Sequence, residues 1–227
     1  MKTFPPSRTS FSRICFVGDA FTVGAGDETA LGWTGRLAAG EWAGNHDITL
    51  YNLGIRGNST RMIAERWRRE CEARIPAAAN GRLVFMFGGN DAKEEVGRGV
   101  EVPLEESVQN ARAILREASQ WLPTLWIGLI PMNDTRPYPQ LLNGPQYRFS
   151  NTRQAEYNAR YAEVAAEIGV PFLDLHTPLM EDPRWMALTQ AGDGSNPAGE
   201  GYAYVADRIA QWPHWRAWFD KPQVQLW

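Results

Sequence analysis

Four short segments hold the side chains best suited to chemistry: Gly18-Asp19-Ala20-Phe21, Asn52-Leu53-Gly54-Ile55-Arg56-Gly57, Gly88-Gly89-Asn90-Asp91 and Asp193-Gly194-Ser195-Asn196-Pro197. Taken singly, each is ordinary turn chemistry, since Asn and Asp bond their own backbone and glycine accepts left-handed φ. Taken together, they offer carboxylates that orient a neighbour and amides that donate. They also offer glycines, which let a backbone N–H approach a ligand without a Cβ in the way.

Other chemistries lack their residues. No Gly-x-Ser-x-Gly elbow occurs, and His46, His176 and His214 show no metal-ligand spacing, so neither that serine chemistry nor a metal is expected. His176 reads as a satisfied loop or core histidine and stays outside the site. The run GDAFTVGAGDE follows a strand and suggests, as a weaker alternative, the phosphate-cradling loop of a nucleotide-binding flavodoxin-like module. It lacks a third glycine after Gly24 and Gly26 and a Gly-Lys-Ser/Thr pair, while Asp19, Asp27 and Glu28 would repel phosphate. No cofactor is expected.

The four segments need a scaffold that brings them to one rim. Apolar runs at 13–17, 48–52, 82–87, 124–130 and 170–175 read as strands covered on both faces. Between them lie helical patterns: one capped by Ser59 with Ile63, Trp67, Cys71 and Ile75 inward, one over 103–122, one over 152–168, and a last from Pro197 to about Trp212. This β-α alternation predicts a parallel sheet with helices on both faces, and in such sheets ligands bind beyond the carboxyl ends of the strands. The proline-rich segment 131–150 reads as a long loop and a pocket wall, with Arg136, Tyr138, Tyr147 and Phe149 as possible lining.

In order and spacing, the four segments resemble the SGNH, or GDSL, hydrolase family. Its blocks read Gly-Asp-Ser after the first strand, a glycine after the second, Gly-x-Asn-Asp after the third, and Asp-x-x-His-Pro near the end. The resemblance covers most of the chain. It implies a three-layer α/β/α, flavodoxin-like fold with a parallel five-stranded sheet, and an ester-hydrolase site with a Ser-His-Asp triad. It also implies an oxyanion hole made of backbone N–H groups and an Asn side chain. Carried onto this sequence, Ala20, Gly54 and Asn90 match the oxyanion donors and Asp193 the orienting acid. Ala20 and Asn196 stand at the nucleophile and general-base positions.

Physical chemistry gives those two replacements their meaning. Alanine has no oxygen to attack with, and an asparagine amide bonds a carboxylate but takes no proton near neutral pH. Loss of such a unit costs about 10⁶-fold in turnover, whereas each surviving oxyanion donor is worth about 2.7–4 kcal/mol. The expectation is a chain that binds a small acyl ester, short-chain by preference, and scarcely cleaves it. It would be an inactivated form of an esterase or, alternatively, a natural pseudoenzyme that binds acylated small molecules.

Composition narrows the partners. At 227 residues, 44% hydrophobic and 22% charged, the sequence fits one globular domain over 1–227. A net charge of -3 leaves no basic surplus for nucleic acid. No window reaches the ~18 apolar residues of a membrane span and the first residues lack an apolar leader run, so a cytoplasmic protein without a membrane partner is expected. Cys15 and Cys71 read as reduced core residues. Trp212, Trp215 and Trp218, followed by Phe219 and Trp227, form an aromatic stripe that reads as core packing or as a contact between subunits.

Overall fold

A computed structural model of the protein describes residues 11–135 and 144–219. Among them the strands are β1 (Phe11–Gly18), β2 (Asp47–Gly54), β3 (Gly81–Met86), β4 (Glu94–Glu95), β5 (Gly99–Val100), β6 (Thr124–Ile127), β7 (Tyr147–Arg148) and β8 (Phe172–Leu173). The helices are α1 (Ala20–Val23), α2 (Gly32–Ala43), α3 (Thr60–Glu72), α4 (Leu104–Trp121), α5 (Asn151–Ile168), α6 (His176–Met180), α7 (Pro183–Ala191), α8 (Gly199–Ala210) and α9 (Pro213–Arg216).

Five strands pair in parallel in the order β2-β1-β3-β6-β8, the flavodoxin-like arrangement. Their apolar runs are explained by what covers them. Cys15, Val17, Leu83, Phe85 and Trp126 face one core with Ile63, Trp67, Cys71, Leu115 and Tyr161 of α3, α4 and α5. The alternate residues Ile14, Phe16, Val84, Met86, Leu125 and Ile127 face a second core with Trp33, Tyr202, Val205 and Trp215 of α2, α8 and α9. Successive strand side chains point to opposite faces, so a strand between two helical layers must be apolar at every position.

Several expected boundaries move. β8 is two residues long rather than six. α8 begins at Gly199 with Ala198 at its cap, two residues beyond Pro197. Ser59 precedes α3, but its side chain makes no capping bond; the carboxylate of Asp91 takes the Thr60 N–H instead, at 2.8 Å. The long loop contains β7, which pairs with β4 in a small antiparallel sheet of order β5-β4-β7. Arg136, Tyr138 and Trp227 lie outside the described residues. Cys15 and Cys71 are both free and buried. No described helix is long and apolar enough to cross a membrane. Trp212, Trp215 and Phe219 are buried within this chain, and Trp218 packs against the same core. Among the described residues the stripe therefore packs within the chain.

Candidate active site

The strand ends lie level: Gly18 pairs with Gly54 on one side and with Met86 on the other, so the loops after β1, β2 and β3 leave the sheet together. Asp19 caps α1, its Oδ1 accepting the Phe21 N–H at 3.0 Å, which turns the chain sharply and leaves half-buried Ala20 as the first helical residue. No hydrogen bond among the described residues uses the Ala20 N–H.

After β2 the geometry departs from expectation. The Gly54 N–H donates to Asn52 Oδ1 at 3.0 Å, and a Cβ on Gly54 would come within 2.3 Å of the Val23 nitrogen. Gly54 is thus pressed against α1, with its donor spent, and does not line the cleft. Gly57 does. It holds φ +80°, a backbone state that favours glycine, and no hydrogen bond among the described residues uses its N–H. Asn52 completes the lock on α1 and α2 by donating from Nδ2 to the Thr22 carbonyl at 2.9 Å and Thr34 Oγ1 at 3.0 Å.

Arg66 of α3 fixes the same rim from the side. Its guanidinium donates to the carbonyls of Gly18 (3.0 Å) and Leu53 (2.9 Å), to Asn58 Oδ1 (2.7 Å) and to Glu70 (2.9 Å). A surface-type arginine amid Arg and Glu residues gives no sequence signal of this role.

Beyond β3, Asn90 enters the cleft. Its Nδ2 donates to Asp19 Oδ2 and to the Asn58 carbonyl, both at 3.1 Å, so both amide hydrogens already have acceptors. Donation to a bound oxygen requires one of these bonds to be shared or released. Asp91 points the other way, fully buried, and accepts from the Thr60 N–H and Oγ1 and from Ser107 Oγ, which also meets the Tyr161 hydroxyl. Burial pushes the carboxyls of Asp19 and Asp91 up to about 6; hydrogen bonds oppose the rise in both, and the charge of Asp91 adds to it at Asp19.

The last segment is a tight turn around Asp193. Its Oδ1 accepts from the Ser195 N–H (2.9 Å), Ser195 Oγ (2.8 Å) and the Asn196 N–H (2.6 Å), and its Oδ2 accepts from Asn196 Nδ2 at 3.1 Å. Burial works against the ionised form, yet the Asn196 and Ser195 bonds outweigh it and hold this carboxyl below the usual range. The Gly194 carbonyl accepts the Asn133 N–H at 2.9 Å, anchoring the turn to the segment after β6.

These pieces line an open cleft of about 100 Å³. Ala20, Gly57 and Asn90 lie along it with Asp19, Asp193, Ser195 and Asn196, while Leu129, Ile130, Met132 and Phe149 supply an apolar wall and Arg56 stands at the rim. Four of the five site residues expected from sequence are brought together; Gly54 is the exception.

Comparison with known proteins identifies the family. The sequence pattern of the GDSL-like lipase/acylhydrolase family matches residues 16–204. The chain belongs to that family.

A GDSL esterase/lipase of Arabidopsis thaliana is 27% identical over 138 residues, covering 56% of this chain and 57% of that protein; the chain thus matches little more than half the length of that curated relative. Among solved structures, the lipase/acylhydrolase of Enterococcus faecalis superposes with a TM-score of 0.69 at 22% identity, covering 94% of this chain and 99% of that one. An acetylxylan esterase of Geobacillus stearothermophilus does so with a TM-score of 0.63 at 20% identity, over 89% and 95%. At these identities the likeness is one of fold.

Outside the cleft, His176 is buried at the start of α6 with Nε2 unbonded, its pKa lowered by burial, and it does not line the cleft. The acids of the glycine-containing loop are structural. Asp27 pairs with Arg36 and accepts the Thr29 and Gly32 N–H groups, and Glu28 accepts the Gly199 N–H at 3.0 Å. That loop holds α2 to α8.

Proposed function

We propose that this GDSL-family chain is the binding half of a serine ester hydrolase: it holds a short-chain acyl ester and scarcely cleaves it. The observation that carries the reading is the contact of Asn196 Nδ2 with Asp193 Oδ2 at 3.1 Å, on a cleft whose nucleophile position presents only the Ala20 methyl. In the parent chemistry a serine hydroxyl attacks the carbonyl and an imidazole, oriented by the acid, takes its proton. Here the acid still orients its neighbour, but that neighbour is an amide with no useful basicity, and the methyl has no lone pair.

Binding capacity remains. The N–H groups of Ala20 and Gly57 are unspent and lie along the same cleft, so the ester carbonyl oxygen is assigned to them, with Asn90 contributing after exchange of one of its present bonds. The wall of Leu129, Ile130, Met132 and Phe149 suits a small acyl group by burying apolar surface. The Geobacillus relative, by its name an esterase of acetylated xylan, agrees with that size.

Calorimetric titration with ethyl butyrate, followed by recovery of the ester, tests this reading. Saturable binding with the ester returned intact is expected. Rapid release of butyrate would remove the claim that attack is lost, and no binding would remove the ester reading.

A further inference from the structure

Arg56 is the charged group of the cleft that no described residue neutralises. Most described arginines have a bonded or stacked partner: Arg66 holds the strand ends, and Arg61, Arg153, Arg160, Arg208 and Arg216 pair with acids. Arg56, Arg69 and Arg148 have no side-chain partner among the described residues, and of these three only Arg56 lines the cleft. Its charge counters part of the rise that burial causes at the Tyr202 phenol.

The acids nearby do not serve as its counter-ions. Asp193 faces four donors of its own turn, and Asp19 is bonded to the Phe21 N–H and to Asn90; neither is within ion-pair distance of Arg56. Arg56 also precedes Gly57, whose N–H is assigned above to the ester oxygen, and both residues line the cleft.

We propose that Arg56 is a specificity-determining residue and that the preferred ligand is an ester carrying a carboxylate close to its carbonyl. A planar guanidinium meets a carboxylate with two parallel N–H donors, and a single negative charge suits a cleft that already holds Asp193 better than a dianion does. The assignment rests on the ester reading of the cleft.

Two esters of nearly equal shape separate the possibilities: monoethyl succinate, whose far end is a carboxylate, and ethyl succinamate, whose far end is a neutral amide. At pH 7.5 and low salt, calorimetry is expected to give up to about fivefold tighter binding of the charged ester, the upper size of a charge pair at an exposed site. Raising salt to about 0.5 M should shrink that preference. Arg56→Ala should bring the ratio to about one while leaving ethyl succinamate binding within about twofold, and Arg56→Lys should restore part of the preference, because a point charge lacks the fork. Equal binding of the two esters by the unaltered chain, or a preference that survives Arg56→Ala, overturns the assignment while leaving the ester reading in place. Failure of both esters to bind overturns the ester reading and this inference with it.

Discussion

Asp19 and Asp91 are adjacent acids beneath the cleft, and burial raises both toward pH 6. A raised carboxyl binds more protons in the native than in the unfolded chain between about pH 4 and 6, so its contribution to stability is present at low pH and is lost as pH rises through that window, by about 3 kcal/mol at most for Asp19. Denaturant titrations of the unaltered chain and Asp19→Asn should therefore diverge: from pH 4.5 to 7.5 the variant should lose about 2 kcal/mol less stability. Parallel pH profiles would contradict the burial of this charge. Asp193 behaves oppositely, because its bonds favour the ionised form, and its stabilisation fades as pH falls through the acid range. At this scale the residue types were readable, since Asp19, Ala20, Asn90, Asp193 and Asn196 all line one cleft. Gly57 was not distinguished from Gly54. Spacing alone does not tell which N–H a neighbouring Asn52 consumes, and that depends on β2 ending at Gly54.

Elements set the site by clamping loop ends. Arg66 joins α3 to the carboxyl ends of β1 and β2 and to the loop before α3, so Arg66→Ala should cost about 2–3 kcal/mol in denaturant stability and weaken ester binding as well. Loss of stability without any change in ester affinity would separate α3 from the cleft. Gly88 tests a closer constraint. At φ +107°, a Cβ there would fall 2.4 Å from the Tyr161 ring, so Gly88→Ala should lower stability by at least about 2 kcal/mol, measured by thermal unfolding. The sheet strands and the helices α3, α4 and α5 were legible because their apolar periods answer to two packed faces. α2 was not: it carries Gly35 and Gly40 and buries a glutamate, Glu41, so its pattern has no apolar stripe. β4, β5 and β7 were too short for periodicity to register.

For the molecule as a whole, the C-terminal aromatics close the second core. Trp215 is fully buried against Phe16 and Phe219, and its Nε1 donates to Glu41 at 2.8 Å, where Arg216 also bonds. Trp215→Ala should cost about 3–5 kcal/mol and lower the melting temperature by roughly 10 °C, seen by calorimetry. On the proposed reading, Ala20 and Asn196 leave the cleft without a nucleophile and a base, and binding and turnover separate. The direct measurement is a reversion cycle with p-nitrophenyl acetate: the chain itself, Ala20→Ser, Asn196→His, and both together. Residues that act as one unit are strongly non-additive, so each single reversion should stay near background and the pair should rise by at least about 10³-fold. A well-folded double revertant that still releases no nitrophenol would contradict the account.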